Sequence, residues 1–424
     1  MVKRDTHRLC RFNQSGFGLY IFAACVAVMA GCRHIPTCVR EGGDPWLEVE
    51  TPHARVFTDM DVDEARLFAY DIGIAWHAMT ALVWPEVKMP ERQKRVDIVV
   101  FKNLFESVDY TRSAGVFQRT PLHPGYVITN KSALIYGEVL VHELAHALSF
   151  SLGMPDDAPV WYVEGIASFL QTIEYDYKTS SVSMGKASDW MLRPLTRTAR
   201  GPMEFDELWS APTDWNRGAY YGTAWLLVHY LYNNESKGLA AFQRALSENG
   251  SSIKSRWLEF FPNLPPASVR AVLINYLATG QAKVRQKVVP RPNFALNVRP
   301  LNGSRIHSLM AVVSAYAPEL SPYERKKFSA WQARHAIAEN PSDLWAHKVQ
   351  RLFLRENRAD LTTALRLTSQ HPADPDAWLI AADSYQAVGR SNEAAKAMEN
   401  ARGLGHRSLC ERPQFVPPQF HPPR

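Results

Sequence analysis

Two histidines four residues apart constrain this chain more than any other feature. Residues 141–146 read Val-His-Glu-Leu-Ala-His, with His142 and His146 flanking Glu143 in an HExxH pattern. The surrounding stretch, YGEVLVHELAHALSF, has no proline and no glycine after Gly137. It predicts a helix over residues 133–152, closed by Gly153 and Pro155. Positions i and i+4 share one helix face, so both imidazoles turn to one point. Glu143 projects beside them, placed to take a proton from a metal-activated water. Such a pair needs a third protein ligand, with a fourth position left for water. Glu164 supplies the candidate, 18 residues after His146 on a second predicted helix over 159–173. Its neighbours Trp161, Val163, Ile166 and Ala167 are apolar. A carboxylate in that setting is costly unless it is paired or metal-bound. Pro159 and the preceding Asp156-Asp157 form the turn that lets the two helices meet. Imidazole nitrogen and carboxylate oxygen in tetrahedral array suit zinc, one ion per chain.

The rest of the chain reads as an α+β domain followed by helices. Strands are expected over 47–50, 55–58, 95–101 and 125–130. Helices are expected over 63–83 and 219–232. Strands first and helices afterwards define the α+β class for residues 46–250. Residues 251–304 are read as a helical connector. Beyond about 305 the pattern is all helical, and Asp343-Leu344-Trp345-Ala346 recurs as Asp376-Ala377-Trp378-Leu379, a period of 33. The second copy adds Ala382, Tyr385, Gly389, Ala394, Met398 and Ala401, spacings that resemble the tetratricopeptide repeat. In the first copy Trp345 and Leu352 fit, while Glu356 stands where glycine is usual. These repeats are expected over 305–408, with an earlier one ending within 323–340. A Pro-rich tail follows at 409–424.

The N-terminus reads as a targeting segment. Basic residues precede an apolar run over 17–30, 14 residues long and short of a membrane span of about 20. The run leads into Met29-Ala30-Gly31-Cys32, which resembles the bacterial lipobox, with Met29 where leucine is commonest. That resemblance implies a signal peptide over 1–31, lipidation of Cys32, a tether over 32–45, and a chain anchored at the envelope, facing the periplasm from the outer membrane. An uncleaved anchor helix, or cleavage without lipidation, remains the alternative. Cys10 and Cys25 leave with the signal, and only Cys38 and Cys410 remain to pair.

Composition and charge remove other classes. The chain of 424 residues is 46% hydrophobic and 21% charged, which excludes wholesale disorder, collagen and a polytopic membrane protein. Lys3, Arg4, Arg8 and Arg11 against Asp5 place +3 of the formal +6 before residue 32, leaving +3 for everything after. That is too little to argue for a nucleic-acid partner.

HELAH followed by PVWYVEGIA resembles the gluzincin clan of zinc peptidases, whose pattern is HExxH, a short loop, then Trp-x-x-Glu-Gly-x-Ala. The resemblance covers about residues 46–235 and is nearest to the peptidase-MA-like group of bacterial proteins. The interval from the second histidine to the glutamate is one residue shorter here than in the best-known members. The resemblance implies a zincin-like domain, zinc on His142, His146 and Glu164, Glu143 as base, and a peptide or protein substrate. It also implies an oxyanion-stabilising tyrosine on a later helix: Tyr221 by register, with Tyr220 second. Residues 125–130 would be the edge strand that pairs with an extended substrate. Ala397-Met398-Glu399-Asn400 mimics an aminopeptidase motif but lies in the repeat, far beyond the metal helix. His77 and His229 are read as packed or surface side chains. The alternative reading is a catalytically silent zincin carrying a helical-repeat scaffold for protein partners in the envelope. The intact Glu143 favours the enzyme.

Overall fold

The computed structural model describes residues 43–83, 95–102, 115–120, 123–131, 138–152, 154–196, 201–210, 212, 217–248, 253–280, 284–317, 320–354 and 359–404. The described residues all fall within one compact unit. The expected signal segment, Cys32, Cys38, Cys410 and the Pro-rich tail lie outside the described residues. Among those described, no helix is long and apolar enough to cross a membrane.

The chain is a mixed α/β protein with a helical C-terminal part. β1 (Leu47–Glu50), β2 (Ala54–Thr58), β3 (Val96–Phe101), β4 (Gly115–Thr120) and β5 (His123–Asn130) belong to a sheet in the order β4-β5-β3-β2-β1, completed by residues Asn297–Pro300 against β1. β2, β3 and β5 run parallel, while β4 and β1 are antiparallel to their neighbours. β3 is buried at all six positions, so its two faces need separate covers. Val96, Ile98 and Val100 pack under α1 (Val62–Val83), where Phe68, Ile72, Trp76 and Met79 repeat at helical spacing. α2 (Glu138–Ser151), α3 (Val160–Leu170), α4 (Asp189–Thr196) and α5 (Arg217–Asn234) share that core.

The residues read as a helical connector do more than connect. They include the helix α6 (Val269–Ala278), but residues Arg285–Val288 and Asn297–Pro300 are strands. The first joins Glu174–Asp176 and Ser181–Met184 in a second, three-stranded sheet. In chain order these three are β6, β7 and β8, and Asn297–Pro300 is β9. RQKV and NVRP are mostly exposed and carry little apolar alternation, so they send no strand signal.

α7 (Gly303–Tyr316) then covers the other face of the large sheet. Its Ile306, Leu309, Met310 and Val313 pack with Phe57, Val99, Phe101, Tyr126 and Ile128. Charge is buried there as well. Arg55 donates from Nε and Nη2 to the two carboxylate oxygens of Asp97, at 2.7 and 2.9 Å, and Asp97 is fully buried. The Arg305 guanidinium lies 3.4 Å over the Trp345 ring, and burial pushes its pKa down to about 10, so it stays charged near neutrality.

Five more helices follow: α8 (Pro322–Glu339), α9 (Leu344–Leu354), α10 (Leu361–Gln370), α11 (Pro375–Ala387) and α12 (Ser391–Gly403). Ser321 and Glu324 form a reciprocal capping box at the start of α8. Trp345 and Trp378, 33 residues apart, both stand in the first turn of a helix. The Met398-Glu399 mimic lies in α12, where Ala397 and Met398 pack against α11.

Candidate metal centre

α2 carries the HELAH residues because its apolar positions, Leu140, Leu144, Ala145 and Leu148, all face the core. Glu138 in its first turn complements the positive end of the helix. After a turn in which Ala158 N–H donates to Pro155 O, Pro159 caps α3. α3 is buried along most of its length, and its one acidic residue, Glu164, points back at α2.

The three expected ligands meet. His142 Nε2 lies 3.0 Å from His146 Nε2, and Glu164 Oε2 lies 3.3 Å from the first and 3.4 Å from the second. Both histidines are buried. Zinc bonds of about 2.0–2.1 Å in tetrahedral array put ligand atoms about 3.3–3.4 Å apart. The two distances to Glu164 match that spacing and the one between the histidines, at 3.0 Å, is slightly shorter, so the three atoms could hold one zinc ion with the fourth corner left for water. Among the described residues, these three are the one such His/Cys/Asp/Glu cluster. Between His142 and Glu164, burial opposes charge on both partners, but mutual hydrogen bonding prevails. It raises His142 above 6.5 and holds Glu164 well below the usual carboxylate range.

Glu143 lies on the side of α2 that faces β4. The Phe117 backbone N–H donates to Glu143 Oε2 at 2.6 Å, which fixes the carboxylate. Gly115 makes room for this approach: a Cβ there would meet Val139 at 3.3 Å and Glu143 Cγ at 3.4 Å. The Phe117 ring stacks over His146. The expected edge strand needs correction here. Residues 125–130 belong to β5, which is flanked by β3 and β4 and is therefore interior. The outer strand on that side is β4, whose short polar-ended GVFQRT carries too little alternation to be read as a strand.

Tyr220 and Tyr221 separate by where their hydroxyls go. Tyr220 is fully buried, and its O–H donates to the Leu208 carbonyl at 3.0 Å. The Tyr221 ring stands 6.0 Å from that of His142. Burial, then the charges of Glu164 and Glu143, push its pKa well up, so the hydroxyl keeps its proton and can donate. His229 donates from Nε2 to the Gly185 carbonyl and meets the Tyr276 hydroxyl at Nδ1, a packing role. His77 meets the Pro290 carbonyl.

Three supporting residues, Gln171, Glu138 and Trp190, were not among the site residues expected from the sequence. Gln171 Oε1 accepts from His142 Nδ1–H at 2.7 Å, so that when the ring is neutral Nε2 carries no proton and can serve as a ligand. Gln171 stands seven residues after Glu164, two helical turns along the same face, and that spacing was its available signal. Its amide nitrogen reaches Glu138 Oε2 at 3.5 Å, and Trp190 Nε1–H donates to the same oxygen at 2.8 Å.

A family model described as "Protein of unknown function (DUF1570)" matches residues 138–251. That span holds His142, Glu143, His146, Glu164, Gln171 and Tyr221, and stops before α6. No curated protein and no solved structure matches the chain.

Proposed function

We propose that this protein is a zinc-dependent peptidase of the gluzincin type, hydrolysing amide bonds in peptides or proteins. The observation that carries the reading is the convergence of His142 Nε2, His146 Nε2 and Glu164 Oε2 within 3.4 Å of one another, with Glu143 and Tyr221 beside them. Zinc held there would polarise the scissile carbonyl and supply a water acidic enough to lose its proton near pH 7.

This chain's residues do the rest. Glu143, oriented by the Phe117 amide, takes the proton of the attacking water and passes it to the leaving amine. Tyr221 donates to the carbonyl oxygen as it gains charge, a contact worth about 3–4 kcal/mol where measured. Gln171 fixes the His142 ring. β4, lying outermost, offers main-chain groups to an extended substrate.

We read the helical pairs of the C-terminal part as tetratricopeptide-like hairpins that hold a protein partner or substrate. The 33-residue return of tryptophan at Trp345 and Trp378 supports that reading. We place the chain at the bacterial envelope through a lipid on Cys32, a reading that rests on residues 29–32 alone.

Replacing Glu143 with Gln tests the activity. The variant is expected to keep its zinc and lose hydrolysis of a peptide mixture by at least 10³-fold, the scale of losing a reacting group. Full activity in Glu143→Gln contradicts the reading.

A further inference from the structure

A cavity of about 1070 Å³ opens beside the cluster, between the first turn of α2, the residues after α3 and the start of α4. It shares Gln171 with the metal centre. Its charged lining is Glu138, Glu174, Asp189, Lys186 and Arg193. Two acids are matched: Lys186 lies 3.3 Å from Glu174, and Arg193 lies 3.4 Å from Asp189. Glu138 is left over, with no cation paired to it among the described residues. Its two donors, Trp190 Nε1–H and the Gln171 amide, both reach Oε2. Among the described residues no hydrogen bond reaches Oε1, so this oxygen can accept one from a group entering the cavity. Glu138 precedes His142 by four residues, so this charge stands one helical turn from the cluster, on the same face.

We propose that the cavity receives a substrate side chain and that Glu138 makes it selective for a cationic one, the ammonium of lysine or the guanidinium of arginine. The proposal rests on the peptidase reading above and deepens it. Trp190 and Gln171 are neutral donors: they aim the carboxylate without cancelling its charge. An incoming ammonium gains a charge-assisted hydrogen bond to Oε1. An apolar side chain leaves the carboxylate partly desolvated with nothing in return. An acidic one meets three carboxylates against two bases. A free peptide N-terminus offers the same ammonium chemistry, so blocked and unblocked peptides separate the two sources.

The test titrates three octapeptides into the full-length protein by calorimetry, with and without zinc. One is blocked at both ends with a central lysine, one is the blocked norleucine counterpart, and one is that norleucine peptide with a free N-terminus. The blocked lysine peptide is expected to bind at least ten-fold more tightly than blocked norleucine. Glu138→Gln, which retains an oxygen for Trp190, should bring that ratio near one. Glu138→Lys should favour a blocked glutamate peptide instead. Cleavage products of a peptide mixture should carry lysine or arginine at one fixed position from the scissile bond. Equal affinities for blocked lysine and norleucine peptides, or a ratio unmoved by Glu138→Gln, overturn the proposal. A gain seen with the free N-terminus alone reassigns Glu138 to the peptide amine and also overturns it. Glu143-dependent cleavage without basic preference removes this pocket assignment and leaves the peptidase standing. Glu138-dependent lysine binding without cleavage removes the peptidase reading and retains the cation pocket.

Discussion

A Cβ placed on Gly165 would stand 2.7 Å from the carbonyl oxygen of Ala224. The residue beside the third ligand is therefore the point where α3 lies directly against the backbone of α5. Tyr221 sits one turn earlier on α5, so this contact sets the distance between Glu164 and Tyr221. Gly222 repeats the device on the next interface, where a Cβ would come 2.5 Å from the Met191 carbonyl and lift α4 away.

Gly165→Ala should force α3 and α5 apart. Overpacking of this kind costs about 1–3 kcal/mol, read as a lower denaturant midpoint with an unchanged slope. Activity should fall further than the loss of folded protein accounts for, because Glu164 and Tyr221 move relative to each other. A variant with wild-type stability and turnover would show that the close approach is dispensable.

Gln171→Leu removes the acceptor of His142 Nδ1–H and keeps the volume. Zinc affinity should drop by about 10- to 100-fold, the usual cost of losing a ligand's supporting hydrogen bond. Competition with a chromophoric chelator measures it. Unchanged affinity would mean that packing alone orients the ring.

The sequence carried the metal centre more fully than the parts that support it. His142, Glu143 and His146 are separated by fixed helical spacings, and Glu164 is marked by its apolar surroundings. Those are local signals. Gln171 and Trp190 act across 29 and 52 residues of sequence, through hydrogen bonds that impose no periodicity. The same holds for the buried Arg55–Asp97 pair, 42 residues apart. Strands with an apolar interior, such as β3, were legible. β4, β8 and β9 were not, because edge positions need few apolar residues. β5 carries a longer apolar run than β4, so residues 125–130 mimic in sequence the edge that β4 forms in the fold.

The metal-free protein should depend on pH through His142 and Glu164. His142 is raised above 6.5, so its contribution is full below 6.5 and fades as pH rises through the raised value. Glu164 is depressed below 4.5, so its contribution is full above 4.5 and fades as pH falls through the depressed value. Both are present together between 4.5 and 6.5, where the pairing stabilises most. Zinc needs His142 deprotonated, so the rise in melting temperature on adding zinc should grow from pH 5 to pH 8. Melting curves with and without zinc check this, and a zinc effect independent of pH would contradict it.

Metal analysis of the purified protein after exposure to zinc and removal of excess tests the central claim most directly. One zinc per chain is predicted for the wild type and for Glu143→Gln, with none retained by folded His142→Ala. Absence of zinc from the wild type, or equal zinc in His142→Ala, would contradict the assignment of His142, His146 and Glu164 as a metal site.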